Sequence, residues 1–229
     1  MKKLKKGGTV GMIKISASTH PAKEEYLPYI NEVIKAGADF IHCDVMDGQF
    51  VKNTAFSHVD VKNINDHTTT VLDVHLMVSN PQKQIKHYKQ AGADILTVHY
   101  EAFKNQKKIL NTIKQIKKQK MLCGVSIKPS TQINEILNLL PLIDMVLIMS
   151  VEPGESGQEF LQSSLNKIST LREIIVKNNY KVLIEVDGGV NLQNKNDLIK
   201  SGADILVIGN ALFSAKNKKQ FIKDFKKEE

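Results

Sequence analysis

Ala36-Gly37-Ala38-Asp39-Phe40-Ile41, Ala91-Gly92-Ala93-Asp94-Ile95-Leu96 and Ser201-Gly202-Ala203-Asp204-Ile205-Leu206 are three copies of one pattern. Their starts lie 55 and then 110 residues apart, which is one and two units of a two-strand repeat. In each copy glycine stands where a helical pattern ends and an apolar run begins, the position that favours a left-handed helix cap. Working outward, Ile- and Val-rich apolar runs recur at 13–17, 39–45, 71–76, 94–99, 122–127, 143–149, 181–186 and 204–208. They are continuous rather than alternating, as suits strands buried on both faces of a parallel sheet. Helical periodicity fills the gaps over Tyr26–Ala36, Pro81–Ala91, Lys107–Lys118, Phe160–Lys177 and Leu192–Ser201. Eight strands alternating with helices over about 215 residues predict an α/β fold, a single-domain (β/α)8 TIM barrel. A doubly wound sheet is the rival, but eight evenly spaced units fill a barrel better. No linker or break in composition marks a second domain.

The chain has 229 residues, enough for one sizeable core. Residues 1–11 read as a flexible basic extension, with the barrel domain over 12–229. Neither a signal peptide nor an apolar run long enough to span a bilayer stands out, and the two cysteines, Cys43 and Cys123, lie far apart. A reducing, cytoplasmic setting is expected, with no membrane partner. The formal net charge is +8, yet Arg172 is the only arginine. Readers of nucleic acid rely on arginine for bidentate contacts, and these lysines are scattered over helix surfaces, so no nucleic-acid partner is expected.

In a barrel of this kind the working residues lie at the C-terminal ends of the strands. The second run ends His42-Cys43-Asp44-Val45-Met46-Asp47-Gly48, and alternation puts His42 and Asp44 on one face with Cys43 on the other. The third run ends Asp73-Val74-His75-Leu76-Met77, and the seventh Glu185-Val186-Asp187-Gly188-Gly189. Two histidines and two aspartates on facing strand ends form an N/O set suited to Zn²⁺, Fe²⁺, Mn²⁺ or Co²⁺. Taken singly, each reads more readily as an ordinary polar strand end than as a ligand. His99 reads as pocket wall, Asp73 as a second layer or interior structure, and Asp47 as a turn residue. The late loops carry Gly154, Gly157, Gly188, Gly189 and Gly209, where backbone N–H groups can approach a phosphate.

Lys14-Ile15-Ser16-Ala17-Ser18, His42 through Val51, Leu72 through Val78, Met149 through Gln158 and Glu185 through Val190 resemble the motifs of the ribulose-phosphate 3-epimerase family, in order and without large gaps from about Met12 to Ala215. The resemblance implies an isomerase of carbohydrate metabolism, in the pentose phosphate pathway, acting on a phosphorylated ketose. It implies one divalent metal ion held by His42, Asp44, His75 and Asp187, with Asp44 and Asp187 also serving as acid and base through a 2,3-enediolate. It further implies sugar contact by Ser18 and His75, a pocket wall of Met46, Met77 and Met149, and a phosphate site at Gly154, Glu155, Ser156, Gly157, Asp187, Gly188, Gly189, Gly209 and Asn210. A homo-oligomer, dimer or hexamer, is expected on the same ground.

The chain departs from the family at the distal end. Where the family has Pro-Gly-Phe-Gly-Gly-Gln, this chain has Pro153-Gly154-Glu155-Ser156-Gly157-Gln158; where it has Gly-Ser, Gly209-Asn210 stands; and Lys52 replaces a proline. Ser156 must tolerate a Cβ, and Glu155 brings a negative charge near an anion site. A hexulose 6-phosphate such as allulose 6-phosphate is therefore the alternative substrate. A barrel that binds phosphorylated ligands without catalysis is the alternative class.

Overall fold

The computed structural model describes residues 12–227, so the extension expected over 1–11 lies outside the described residues. Nine strands form: β1 (Lys14–Ser18), β2 (Phe40–Asp47), β3 (Thr54–Ala55), β4 (Val71–Met77), β5 (Ile95–His99), β6 (Leu122–Ile127), β7 (Met145–Met149), β8 (Leu183–Asp187) and β9 (Ile205–Ile208). Eight of them pair in parallel, and β1 pairs with both β2 and β9, which closes the barrel. The two-residue β3 only folds back antiparallel on the end of β2. Outside lie α1 (Tyr26–Ala36), α2 (His58–His67), α3 (Ile85–Ala91), α4 (Gln106–Lys118), α5 (Ser163–Lys177), α6 (Lys195–Ser201), α7 (Asn210–Phe213) and α8 (Lys218–Lys226). No helix among the described residues is long and apolar enough to cross a membrane.

The helix expected over 81–91 opens as a 3₁₀ turn at Pro81–Lys83, and those expected from 160 and 192 begin at Ser163 and Lys195. Between β6 and β7 the chain makes only 3₁₀ turns, Ile133–Ile136 and Leu140–Leu142. Pro129 and Pro141 bracket that segment, and proline lacks an N–H to donate and disfavours an α-helical residue before it. Ile133, Ile136, Leu139 and Leu140 are nonetheless buried and cover the sheet there.

The repeat has a mechanical meaning. Gly37, Gly92 and Gly202 cap α1, α3 and α6 with φ of 104°, 97° and 108°, a region costly for residues with a Cβ. The aspartate two residues later accepts the backbone N–H of a neighbouring strand: Asp39 from Ile15 (3.0 Å), Asp94 from Leu72 (3.0 Å) and Asp204 from Ile184 (2.7 Å). Asp144 does the same to Cys123 at 3.0 Å, a fourth copy that lacks the glycine because no α-helix precedes it. Four carboxylates thus staple alternate strand pairs at the N-terminal end of the barrel.

Two apolar regions flank the sheet. Ile15, Cys43, Val74, Leu96, Val125, Ile148, Val186 and Leu206 point outward into a fully buried layer under the helices. Phe40, Ile95, Met145 and Ile205 plug the bottom of the interior. Above that plug the interior turns polar, and the barrel opens toward its C-terminal rim.

Candidate active site

Strand register assembles the polar residues. Between β2 and β4, His42 is level with Asp73, Asp44 with His75 and Met46 with Met77; between β7 and β8, Met149 is level with Asp187. Alternation then aims His42, Asp44, Met46, Asp73, His75 and Met77 into the interior. One ligand atom each from His42, Asp44, His75 and Asp187 lies within 4.8 Å of the other three, so the four could hold one metal ion. The intervening Cys43 faces the outer core, where burial pushes its thiol up to about 12 and removes it from metal chemistry.

A deeper layer fixes these side chains. His42 Nδ1 meets Asp73 Oδ2 at 2.7 Å, and the same oxygen accepts from Ser16 Oγ at 3.0 Å. Asp73 is therefore the residue behind His42. His75 turns Nδ1 toward Asp44 Oδ1 (3.1 Å) and Nε2 toward His99 Nε2 (2.9 Å). His99 was expected in the pocket wall; instead it is fully buried behind His75 and passes on to Glu101 Oε2 at 3.0 Å. Asp47 is the expected turn residue, accepting from the N–H groups of Gln49 and Phe50 and from Ser79. Ser18 Oγ donates to Asp44 Oδ2 at 3.3 Å, and Ser150 Oγ donates to the carbonyls of Asp187 and Gly188.

The charges oppose one another. Burial raises Asp44, but the charge of His42 and the hydrogen bonds from His42 and His75 together outweigh it and hold the carboxyl well below the usual range. Burial lowers His42, yet Asp73 and then Asp44 carry it well above an ordinary histidine. Burial and then the charge of Asp44 raise Asp187 to about 6. Carboxylates crowded in a low-dielectric interior demand a positive charge among them, which a proton on His42 or a divalent ion supplies. The geometry fits an ion: buried His42 Nε2 has no hydrogen-bond partner, although Asp44 Oδ1 is only 3.3 Å away, as when two ligands face one cation.

Above this cluster lies a cavity of about 570 Å³. Its wall includes Ser18, Asp44, Met46, Met77, Met149, Gly154, Glu155, Ser156, Gly157, Asp187, Gly188, Gly189, Gly209 and Asn210. His75, expected also to touch substrate, is not in the wall: it has no exposed surface and faces Asp44. Neither lysine nor arginine lines the cavity among the described residues. At the distal end, Gly188 has φ of 121° and a Cβ there would sit 2.5 Å from Val151; at Gly189, with φ of 65°, it would sit 2.6 Å from the backbone nitrogen of Phe160. Both positions exclude any other residue. Ser156 avoids the left-handed region, which among non-glycine described residues only Lys120 and Asn179 occupy, so its Cβ is tolerated. Glu155 is exposed.

Glu101 and the loop residues Val51 and Asn53 belong to this assembly and were not singled out from the sequence. The spacing of His99 and Glu101, two apart across a strand end, was the available signal for the first. Nothing local marks Asn53, whose partner is 101 residues away.

A sequence profile of the ribulose-phosphate 3 epimerase family matches residues 14–213. The chain is 39% identical over 217 residues to a ribulose-phosphate 3-epimerase of Bacillus subtilis, covering 94% of this chain and 99% of that one. It is 41% identical over 197 residues to a chloroplastic ribulose-5-phosphate-3-epimerase of Arabidopsis thaliana, covering 86% and 70% respectively. Among solved structures, 3-hexulose-6-phosphate synthase from Salmonella typhimurium superposes with a TM-score of 0.65 at 19% identity, covering 93% of this chain and 97% of that one, a likeness of fold alone.

Proposed function

The chain belongs to the ribulose-phosphate 3-epimerase family, and from that premise we propose that it catalyses the metal-dependent 3-epimerisation of D-ribulose 5-phosphate to D-xylulose 5-phosphate. The observation that carries this reading is the convergence of four donors, His42, Asp44, His75 and Asp187, beneath a cavity whose wall includes both aspartates. The pair suits proton transfer at C3 of a 2-ketose. One carboxylate removes the C3 proton, leaving a 2,3-enediolate, and the other returns a proton to the opposite face. The site pushes the two carboxyls apart in acidity, Asp44 held well below the usual range and Asp187 raised to about 6, as suits a pair that divides accepting and donating between its members. The reverse direction exchanges these duties. His42, Asp44, His75 and Asp187 would hold the divalent ion, which when bound would supply positive charge to offset the developing anion.

The other residues position and exclude. Ser18 orients Asp44 through its hydroxyl, and Ser150 anchors the backbone that carries Asp187. Met46, Met77 and Met149 are buried at the rim and offer a deformable wall without a competing acidic proton. With neither lysine nor arginine in the cavity wall among the described residues, the phosphate is held by backbone N–H groups of Gly154–Gly157, Gly188-Gly189 and Gly209-Asn210.

The test is turnover of D-ribulose 5-phosphate and of D-allulose 6-phosphate, before and after dialysis against chelator and with Mn²⁺ or Zn²⁺ restored. A higher kcat/KM on the pentulose phosphate, lost with chelator and recovered with metal, is expected. A higher value on the hexulose phosphate moves the assignment to that sugar. Absence of solvent deuterium at C3 of either sugar, with metal present, leaves a binding barrel without catalysis.

A further inference from the structure

The turn after β8 is clamped one peptide at a time. The Asp187 backbone oxygen accepts from the backbone N–H of Ser150 at 2.8 Å. The Gly189 oxygen accepts from the side-chain amides of Asn194 at 2.9 Å and Asn191 at 3.1 Å. The peptide between them, Gly188–Gly189, is held at its oxygen by Ser150 Oγ at 2.6 Å. That hydroxyl has one proton for two carbonyls; the Asp187 oxygen is farther, at 2.9 Å, and already has the Ser150 N–H. Ser150 is fully buried and lies outside the cavity wall, whereas Gly188 and Gly189 line it. No described peptide is cis, and in a trans peptide the N–H points opposite to the carbonyl. With its carbonyl drawn back to Ser150, this peptide turns the Gly189 N–H toward the cavity.

We propose that Ser150 is a positioning residue for the phosphate: its hydroxyl locks the Gly188–Gly189 peptide so that it presents an N–H, not a C=O, to the anion. A peptide flips by opposite rotations about ψ of the residue before it and φ of the residue after it, leaving its neighbours in place. Gly188 and Gly189, with φ of 121° and 65°, both lack the Cβ that would oppose such a flip. A flipped peptide would aim a carbonyl oxygen at the phosphate and turn attraction into repulsion. With neither lysine nor arginine in the cavity wall among the described residues, that single reversal weighs heavily. The Asp187 carbonyl keeps its bond to the Ser150 N–H whatever side chain stands at 150, so the acid–base carboxylate stays in place. This inference rests on the reading of the glycine loops as the phosphate grip, but its direct observable does not need turnover.

Ser150→Ala and Ser150→Thr test it. In the sequence only Gly8 and Gly189 follow another glycine, so a carbonyl-selected amide spectrum of ¹³C,¹⁵N-glycine-labelled full-length protein isolates the Gly189 N–H. Titration with inorganic phosphate is expected to move that amide proton downfield to saturation in wild type. In S150A the phosphate affinity read from the same signal should fall roughly five- to tenfold, the loss of one hydrogen bond's worth of fixed orientation. S150T, which keeps a hydroxyl, should restore it to within about twofold of wild type. KM for D-ribulose 5-phosphate should rise in S150A by the same factor, with kcat little changed. An unmoved Gly189 amide in wild type overturns the proposal, and so does a folded S150A with unchanged phosphate affinity. A fall in kcat at constant KM overturns it too, since it assigns the hydroxyl to Asp187 instead. The wild-type titration decides even where S150A does not fold. A wild type that shows the phosphate shift and epimerises neither sugar refutes the epimerase reading and leaves this inference standing.

Discussion

Asn53 donates its side-chain N–H to the backbone oxygen of Gly154 at 2.8 Å, joining the loop after β2 to the loop after β7 across the barrel mouth. Val51 packs into the same joint, where a Cβ on Gly154 would lie 2.8 Å from the Val51 Cβ. Asn53→Ala removes the bond and loosens both loops over the cavity. A neutral hydrogen bond contributes about 1 kcal/mol, so KM for the ketose phosphate should rise roughly fivefold with kcat little changed. Steady-state kinetics checks this; an unchanged KM means the joint does not hold the binding geometry.

Glu155 lines the distal end of the cavity and is exposed, so solvent screens its charge. Glu155→Gln should lower KM by less than about tenfold at low salt, and the difference should shrink as ionic strength rises. Ser156→Gly should change unfolding free energy by no more than about 0.5 kcal/mol, because Ser156 lies outside the left-handed region. A salt-independent effect at Glu155 would point to direct contact instead.

Asp73→Asn addresses the layer beneath the cluster. Asp73 Oδ2 accepts from Ser16 Oγ, and His42 Nδ1 lies 2.7 Å from the same oxygen. An amide there can present NH₂ to His42 and shift its proton toward the metal side. Affinity for Mn²⁺ should fall roughly 10- to 100-fold, measured by dialysis, while thermal unfolding stays cooperative. Retained affinity would show that His42 needs no such partner.

Asp187→Asn should reduce epimerisation by roughly 10²- to 10⁴-fold, the range for loss of a general acid–base group. With metal content restored and measured, residual chemistry should wash solvent deuterium into C3 of one epimer without interconverting the two. Equal loss of exchange from both epimers in metal-replete D187N argues against division of labour between Asp44 and Asp187.

Acid should destabilise the metal-free protein in two stages. Burial holds His99 down at about 4, below its ordinary 6.5, so its contribution is complete above pH 6.5 and is lost as pH falls through 4. Burial raises Glu101, but the His99 hydrogen bond and charge outweigh it and hold it at about 2, so its contribution fades between pH 4.5 and 2. The His99 stage amounts to roughly 3 kcal/mol. Urea midpoints from pH 7 to 4 should decline more steeply in wild type than in His99→Gln; parallel declines would assign the loss elsewhere.

The elements were largely legible because their causes are local. Strand burial writes continuous apolar runs, and a left-handed cap demands glycine at Gly37, Gly92 and Gly202. No helical periodicity is read between β6 and β7, and only 3₁₀ turns form there, in a segment bracketed by Pro129 and Pro141, which is also a local cause. His99 was misplaced for a nonlocal reason: alternation aims it inward, but whether an inward residue reaches the cavity depends on its height in the barrel and on what lies above it.

From the residues alone came a barrel, a common rim and four candidate ligands, because period-two alternation and strand ends are properties of a single segment. Whether His42, Asp44, His75 and Asp187 meet depends on the stagger between strands, which only the closed sheet specifies. The same stagger set Asp73 behind His42 and His99 behind His75. It also turned four aspartates of the repeat into staples at the opposite end of the barrel, far from the chemistry. A strand's sequence dictates which face a side chain takes; its level against its neighbours is decided by hydrogen bonds between segments that lie far apart in the chain.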